Sequence, residues 1–164
     1  MKRKIWFLIF LFFVCIVLPV FCQEKEILLH EGWKAKRASE IPVDGTVISL
    51  PEFDLVGWMD AVVPGTVLTT LLYNHVFSDP FFGLNNELIP DIYDVGAGFY
   101  TFWFRKTFSL PRVEEGQEVW LKFRGINYAA DIFLNGRRIN PDTHRGMFLR
   151  QKYRITPYID NGGI

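Results

Sequence analysis

Residues 99–110 read Phe99-Tyr100-Thr101-Phe102-Trp103-Phe104-Arg105-Lys106-Thr107-Phe108-Ser109-Leu110. Tyr100, Phe102, Phe104 and Phe108 fall on one parity, and Thr101, Trp103, Arg105, Thr107 and Ser109 on the other. Successive side chains of a strand point to opposite faces, so the stretch predicts a half-buried β-strand. Downstream the pattern repeats. After a charged turn at Pro111–Gln117, Val119, Leu121 and Phe123 alternate with Trp120, Lys122 and Arg124. Ala130, Ile132 and Leu134 then alternate with Asp131, Phe133 and Asn135, and Asn135-Gly136 is a hairpin signal. Residues 147–155, entered after Gly146, make a further strand.

Upstream the periodicity changes. Pro64-Gly65 precedes Thr66–Asn74, where Thr66 can act as N-cap and Val67, Leu68, Leu71 and Leu72 share one helix face. Residues 75–98 carry Pro80, Gly83, Asn85, Asn86, Pro90, Gly96 and Gly98, and read as a long loop. Its Phe77, Phe81, Phe82, Leu84, Ile89 and Tyr93 argue for order, and an ordered aromatic loop of this length is usually functional. Between Gly32 and Gly57 short apolar pieces alternate with turn residues, and Val47–Leu50 is a candidate strand. Antiparallel strands after a single convincing helix predict an all-β jelly-roll sandwich with one short helix.

The chain has 164 residues, 18 Lys+Arg against 18 Asp+Glu, and two cysteines. That neutrality is composite. Lys2, Arg3 and Lys4 precede an uncharged apolar run from Ile5 to Cys22, the pattern of a secretory signal peptide. Val20 and Cys22 suit cleavage after Cys22, which gives a domain of residues 23–164; acylation of Cys22 is the lipoprotein alternative, and an uncleaved anchor a third. Without the leader, 15 basic face 18 acidic side chains and no cysteine remains. A disulfide frame, a thiolate zinc site and a cysteine nucleophile are thereby excluded from the mature part. The acidic balance argues against nucleic acid as a partner. The expected localisation is periplasmic or extracellular. The charge is also divided: residues 23–100 hold 4 basic and 12 acidic groups, residues 101–164 hold 11 and 6.

Ala61-Val62-Val63-Pro64-Gly65-Thr66-Val67, then DPFFGLNNE (79–87), FYTFWFRKTF (99–108), FRGINYAADIFLNGRRI (123–139) and HRGMFLRQKYRIT (144–156) occur in this order. Together they resemble the N-terminal sugar-binding, galactose-binding-like jelly roll of glycoside hydrolase family 2. The β-mannosidase, endo-β-mannosidase and exo-β-glucosaminidase branch is the most similar. The resemblance covers about residues 30–160. It implies a multidomain retaining glycosidase in which an immunoglobulin-like domain and a TIM barrel follow, with both catalytic glutamates on the barrel. It therefore implies no catalytic residue here, no cofactor, and β-linked mannose or glucosamine glycans as the carbohydrate partner. The resemblance also implies that the jelly roll is incomplete, because a strand is expected after the Asn161-Gly162-Gly163 turn.

Among Glu31, Glu52, Glu87, Glu114, Glu115 and Glu118, only Glu87 lies in the aromatic loop, and it is kept out of a catalytic role. Asp79, Asn85 and Asn86 are the candidate substrate-binding residues. A carboxylate and two amides offer the acceptors and donors that sugar hydroxyls need, and in related enzymes this loop reaches towards the barrel. Their ordinary roles are a turn start at Asp79-Pro80 and asparagine turn chemistry with a left-handed residue. His30, His75 and His144 lack a partner at ligand spacing, so no metal site is expected. Asp131 is expected to pair with Arg124 or Arg145. Trp58, Trp103 and Trp120 are assigned to the core before sugar stacking. A stand-alone carbohydrate-binding module and an envelope assembly domain are the competing function classes.

Overall fold

The computed structural model describes residues 24–159. The signal peptide expected at 1–22 and the turn at 161–163 lie outside the described residues. Strands β1 (Lys34–Arg37), β2 (Met59–Asp60) and β3 (Phe102–Arg105) form one antiparallel sheet in the order β2-β1-β3. In it Ala35 lies opposite both Met59 and Phe104. The downstream half is assembled from antiparallel pairs. β4 (Trp120–Phe123) pairs with β9 (Gln151–Arg154), and β5 (Ala129–Ala130) with β8 (His144–Arg145). β6 (Phe133–Leu134) pairs with β7 (Arg137–Arg138) around Asn135-Gly136. Both turn residues have positive φ, 48° and 79°, the geometry that lets a two-residue turn follow the strands' twist.

A buried cluster of the core sits in this downstream half, while Ala35, Ile48 and Leu71 are buried upstream. Ile132, Leu134, Ile139 and Ile155 are buried, with Phe108, Val119, Leu121, Phe123 and Tyr153 packed on them. Burying each aliphatic side chain contributes about 1.5–3 kcal/mol. Asn140, also buried, replaces missing strand pairing: its Oδ1 accepts from the Ile132 N–H at 2.8 Å, and its Nδ2 donates to the carbonyls of Ala130 (3.0 Å) and Asp142 (2.9 Å). Trp103 of β3 meets Phe133 of β6 edge-on at 5.9 Å, which joins the first sheet to this core.

The predicted helix is present as Val67–Tyr73. Thr66 Oγ1 accepts from the Thr69 N–H (3.0 Å) while Thr69 Oγ1 accepts from the Thr66 N–H (2.7 Å), a capping box that satisfies two otherwise orphan donors. Leu71 is buried beneath it. The helical content exceeds one helix, however. Residues 45–48 form a helical turn rather than the first half of a strand over 47–50, and Ile92–Val95 forms another. In both an aspartate opens the turn: Asp44 accepts from the Thr46 N–H (2.9 Å) and Asp91 from the Tyr93 N–H (2.8 Å). This local bonding prevails over the β-branched pair Val47-Ile48. Gly45 permits the close packing, since a Cβ there would lie 2.3 Å from the Phe133 ring.

Other strands are shorter than the alternation suggests. Ala97–Tyr100 is a 3-10 turn, so β3 starts only at Phe102, and residues 147–150 turn before β9. Arg105 is a further correction. It lies on the parity read as polar, yet it is buried. Its Nε donates to the Ile48 carbonyl (2.9 Å), at the end of the helical turn, and its Nη2 to that of Leu50 (2.7 Å), which also accepts from the Phe53 N–H. Desolvation pulls its pKa below the usual arginine value. The divided charge has a structural counterpart, because Lys122 and Arg124 of the basic half pair with Glu24 and Glu26 of the acidic half.

Candidate functional site

The loop 75–98 leaves the helix through the N–H of Val76, bonded to the Leu71 carbonyl at 2.9 Å. His75, with φ of 56°, turns the chain away from the helix axis. Asp79 then starts a turn in which its Oδ1 accepts from the Phe81 N–H at 2.9 Å. Asn85 closes the same turn: its Nδ2 donates to the Asp79 carbonyl at 2.9 Å. A 3-10 turn follows over Asn85–Leu88. The left-handed residue expected with the asparagines is Gly83, φ 58°, and neither asparagine adopts positive φ.

All three candidate residues are thus brought into one short segment, with Asp79 and Asn85 directly bonded. Asp79 and Asn85 both carry the structural roles weighed against them. Each keeps one side-chain oxygen without a hydrogen-bond partner among the described residues. Asn86 is exposed and its amide has no side-chain hydrogen bond there. Free carboxylate and amide groups of this kind can accept from and donate to hydroxyls. Glu87 is exposed beside them, and its backbone N–H closes the turn onto the Leu84 carbonyl at 3.0 Å.

Most rings of the loop face outward, with Phe77 half-buried. Phe81 is 96% and Tyr93 95% exposed, and Phe82, Leu84 and Leu88 are also exposed. The loop carries Asp79, Glu87, Asp91 and Asp94 and no lysine or arginine. Its surface is therefore apolar and acidic at once. An exposed apolar patch of this extent marks an interaction surface. A second apolar tip lies further along the chain, where Met147, Phe148 and Leu149 are exposed between Arg145 and Arg150, beside the exposed Tyr128, whose carbonyl accepts from the Gly146 N–H at 2.8 Å. The alternation placed residues 147–150 in a strand, whereas the strand starts only at Gln151 and the apolar triplet before it is exposed.

The remaining candidates resolve individually. Glu118 pairs with Arg154 at 2.7 Å, Glu114 with Arg112 at 3.7 Å, and Glu31, Glu52 and Glu115 are exposed. Glu24, Glu26 and Glu40, which sequence reading left unweighed, are ion-paired as well; Glu40 sits 3.1 Å from Lys36 Nζ. Asp131 pairs with Arg138, not with Arg124 or Arg145, and also accepts from Thr143 Oγ1 at 2.7 Å. The short β6–β7 hairpin brings Arg138 back beside Asp131, whereas Arg124 is held by Glu26. Trp58 meets Phe53 edge-on and Trp103 meets Phe133, but Trp120 is exposed under Lys152 Nζ at 5.0 Å, because its parity on β4 points away from the core. His144 is buried with Nε2 3.2 Å from the Gly146 carbonyl. Among the described residues no three His, Cys, Asp or Glu side chains are grouped to hold a metal.

Known proteins share this arrangement. Residues 33–163 match the family described as the glycosyl hydrolase 2 galactose-binding domain-like domain. The chain is 46% identical over 140 residues to mannosylglycoprotein endo-beta-mannosidase of Lilium longiflorum, covering 83% of this chain and 14% of that protein. It is 28% identical over 133 residues to exo-beta-D-glucosaminidase of Streptomyces avermitilis, again covering 14% of the relative. The crystal structure of Amycolatopsis orientalis exo-chitosanase CsxA superimposes with a TM-score of 0.65 at 25% identity, over 81% of this chain and 15% of that one. The chain thus spans a small part of the length of the glycosidases it matches, the part that holds the mostly β galactose-binding-like domain and not a catalytic barrel. The chain belongs to the galactose-binding-like domains of glycosyl hydrolase family 2.

Proposed function

We propose that the chain is the N-terminal, non-catalytic domain of an exported retaining glycosidase acting on β-mannosides or β-glucosaminides. In this reading the loop 75–98 packs on a downstream catalytic barrel. Asp79, Asn85 and Asn86 then contribute to the rim of its substrate pocket. The observation that carries the reading is the loop itself. It combines hydroxyl-binding groups, Asp79 and Asn85 each bonded within the turn through one side-chain atom, with Phe81 and Tyr93, at 96% and 95% exposure, on one turn-rich segment. An isolated domain has no reason to leave such rings in water, whereas a domain seated against another covers them. Similarity to endo-beta-mannosidase and exo-beta-D-glucosaminidase supports the two substrate classes. Export is supported by the basic residues 2–4 ahead of the apolar run 5–22.

The 164-residue chain alone is expected to hydrolyse neither an aryl β-mannoside nor an aryl β-glucosaminide. Turnover by the purified chain that survives Glu87→Gln would overturn the non-catalytic assignment. Calorimetric binding of mannan or chitosan oligosaccharides by the chain alone would instead favour a self-sufficient binding module.

A further inference from the structure

We infer that Arg37 is a positioning residue that holds the loop 75–98 in place and, through it, sets Asp79, Asn85 and Asn86; the inference rests on the rim role proposed for that loop. Arg37 is the last residue of β1, opposite Phe102 in the register. Its side chain is mostly buried, and its Nη1, its Nε and its planar face are engaged where the loop rejoins the sheet. Nη1 donates to the Phe99 carbonyl at 2.6 Å, and the guanidinium carbon lies 3.7 Å from the centre of the Phe99 ring and 5.3 Å from that of Phe102. Nε is 3.6 Å from Glu40 Oε1, an ion pair that Glu40 shares with Lys36.

This clamp acts on a segment that has few other holds. The Tyr100 hydroxyl donates to the Pro90 carbonyl, and the Ala38 N–H donates to the Thr101 carbonyl at 2.9 Å. Phe99 and Tyr100 meet edge-on at 5.0 Å. Arg37, Phe99, Tyr100 and Pro90 therefore form one chain of contacts from the sheet into the loop. Beyond Pro90 the loop is tied to the helix by the Val76 N–H and otherwise by its own turns; Phe77 and Ile89 are half-buried, and Phe81, Phe82, Leu84 and Leu88 face solvent. A planar, permanently charged group suits the task, because it can stack on a ring and donate in its own plane together. Lysine keeps the charge but cannot do both.

The test compares Arg37→Lys, Arg37→Ala and the control Arg112→Ala by amide hydrogen exchange on the 164-residue chain, and by kinetics on an aryl β-mannoside and an aryl β-glucosaminide in the full-length protein. The clamp predicts exchange of the bonded amides of Phe82, Asn85, Glu87 and Asp94 about tenfold faster in both Arg37 variants. The amides of Ile132, Ile139 and Ile155 keep their wild-type exchange. In the full-length protein KM rises about tenfold while kcat stays within about twofold, the split expected of lost substrate positioning. Unchanged loop exchange overturns the clamp, and so does an equal rise in loop and core, which signifies only a weaker fold. Faster loop exchange with unaltered KM supports the clamp and overturns the rim role.

Discussion

The loop 75–98 and the segment 129–145 use similar residues, apolar side chains separated by Asn, Asp and Gly, and reach opposite ends. In 129–145, Ile132, Leu134 and Ile139 are buried and the polar Asn140 is buried with them. In the loop, Phe81, Phe82, Leu84, Leu88 and Tyr93 face water. Turn geometry makes the difference. The Asn135-Gly136 turn returns the chain antiparallel, so alternate residues keep one face and accumulate as core. The loop reverses repeatedly through Asp79, the 3-10 turn Asn85–Leu88 and Asp91, and no face persists. Apolar residues are buried by periodicity, and without it they remain available to another surface.

The strongest way to break this comparison is at Asn140. Asn140→Leu leaves the buried Ile132 N–H and the partly buried Ala130 and Asp142 carbonyls without this partner. A loss of about 3 kcal/mol is expected in urea unfolding; a change below about 1 kcal/mol would mean that the segment is not held by that side chain. Next comes Gly45→Ala. The added methyl meets the Phe133 ring at 2.3 Å, and the required shift is expected to cost about 2 kcal/mol.

In the loop the expectation is nearly the reverse. Phe81→Ser with Phe82→Ser leaves unfolding stability within about 0.5 kcal/mol of wild type, while Leu134→Ala costs about 3 kcal/mol. The doubly substituted chain also stays soluble at higher concentration, read by light scattering. Equal losses at the two places would erase the distinction between core and surface. The smallest effect concerns the ion pair between the halves. Lys122 holds the Glu24 carboxyl below its usual pKa, and Glu24 raises that of Lys122. The stabilisation by Glu24 is therefore complete above the ordinary carboxylate range and lost as pH falls through its lowered value. For Lys122 it is complete below the ordinary lysine range and lost as pH rises through the raised value. The melting difference between wild type and Glu24→Gln should be greatest near neutral pH, small throughout, and reduced by salt.

What was legible in the sequence follows the same line. The period of two over Val119–Phe123, the Asn135-Gly136 hairpin and the Thr66 cap all act locally, and each is realised. Val47–Leu50 misled because its β-branched residues compete with Asp44, whose side chain bonds to the chain two residues ahead. Arg105 misled because its partners are carbonyls of residues 48–51, a meeting that only the tertiary structure creates. The composition of the loop was visible and its exposure was not. Aromatic content reports what a segment can bury, not which surface it buries against.

The most direct test of the central claim is the activity of Asn86→Ala in the full-length protein, against an aryl β-mannoside and an aryl β-glucosaminide. Asn86 makes no side-chain hydrogen bond among the described residues, so its loss should leave the loop intact. If the loop borders the substrate, kcat/KM falls about tenfold or more on one of the two with unchanged unfolding stability, the effect of one lost hydrogen bond to a sugar hydroxyl. Wild-type kcat/KM on both would contradict the placement of this loop at the substrate.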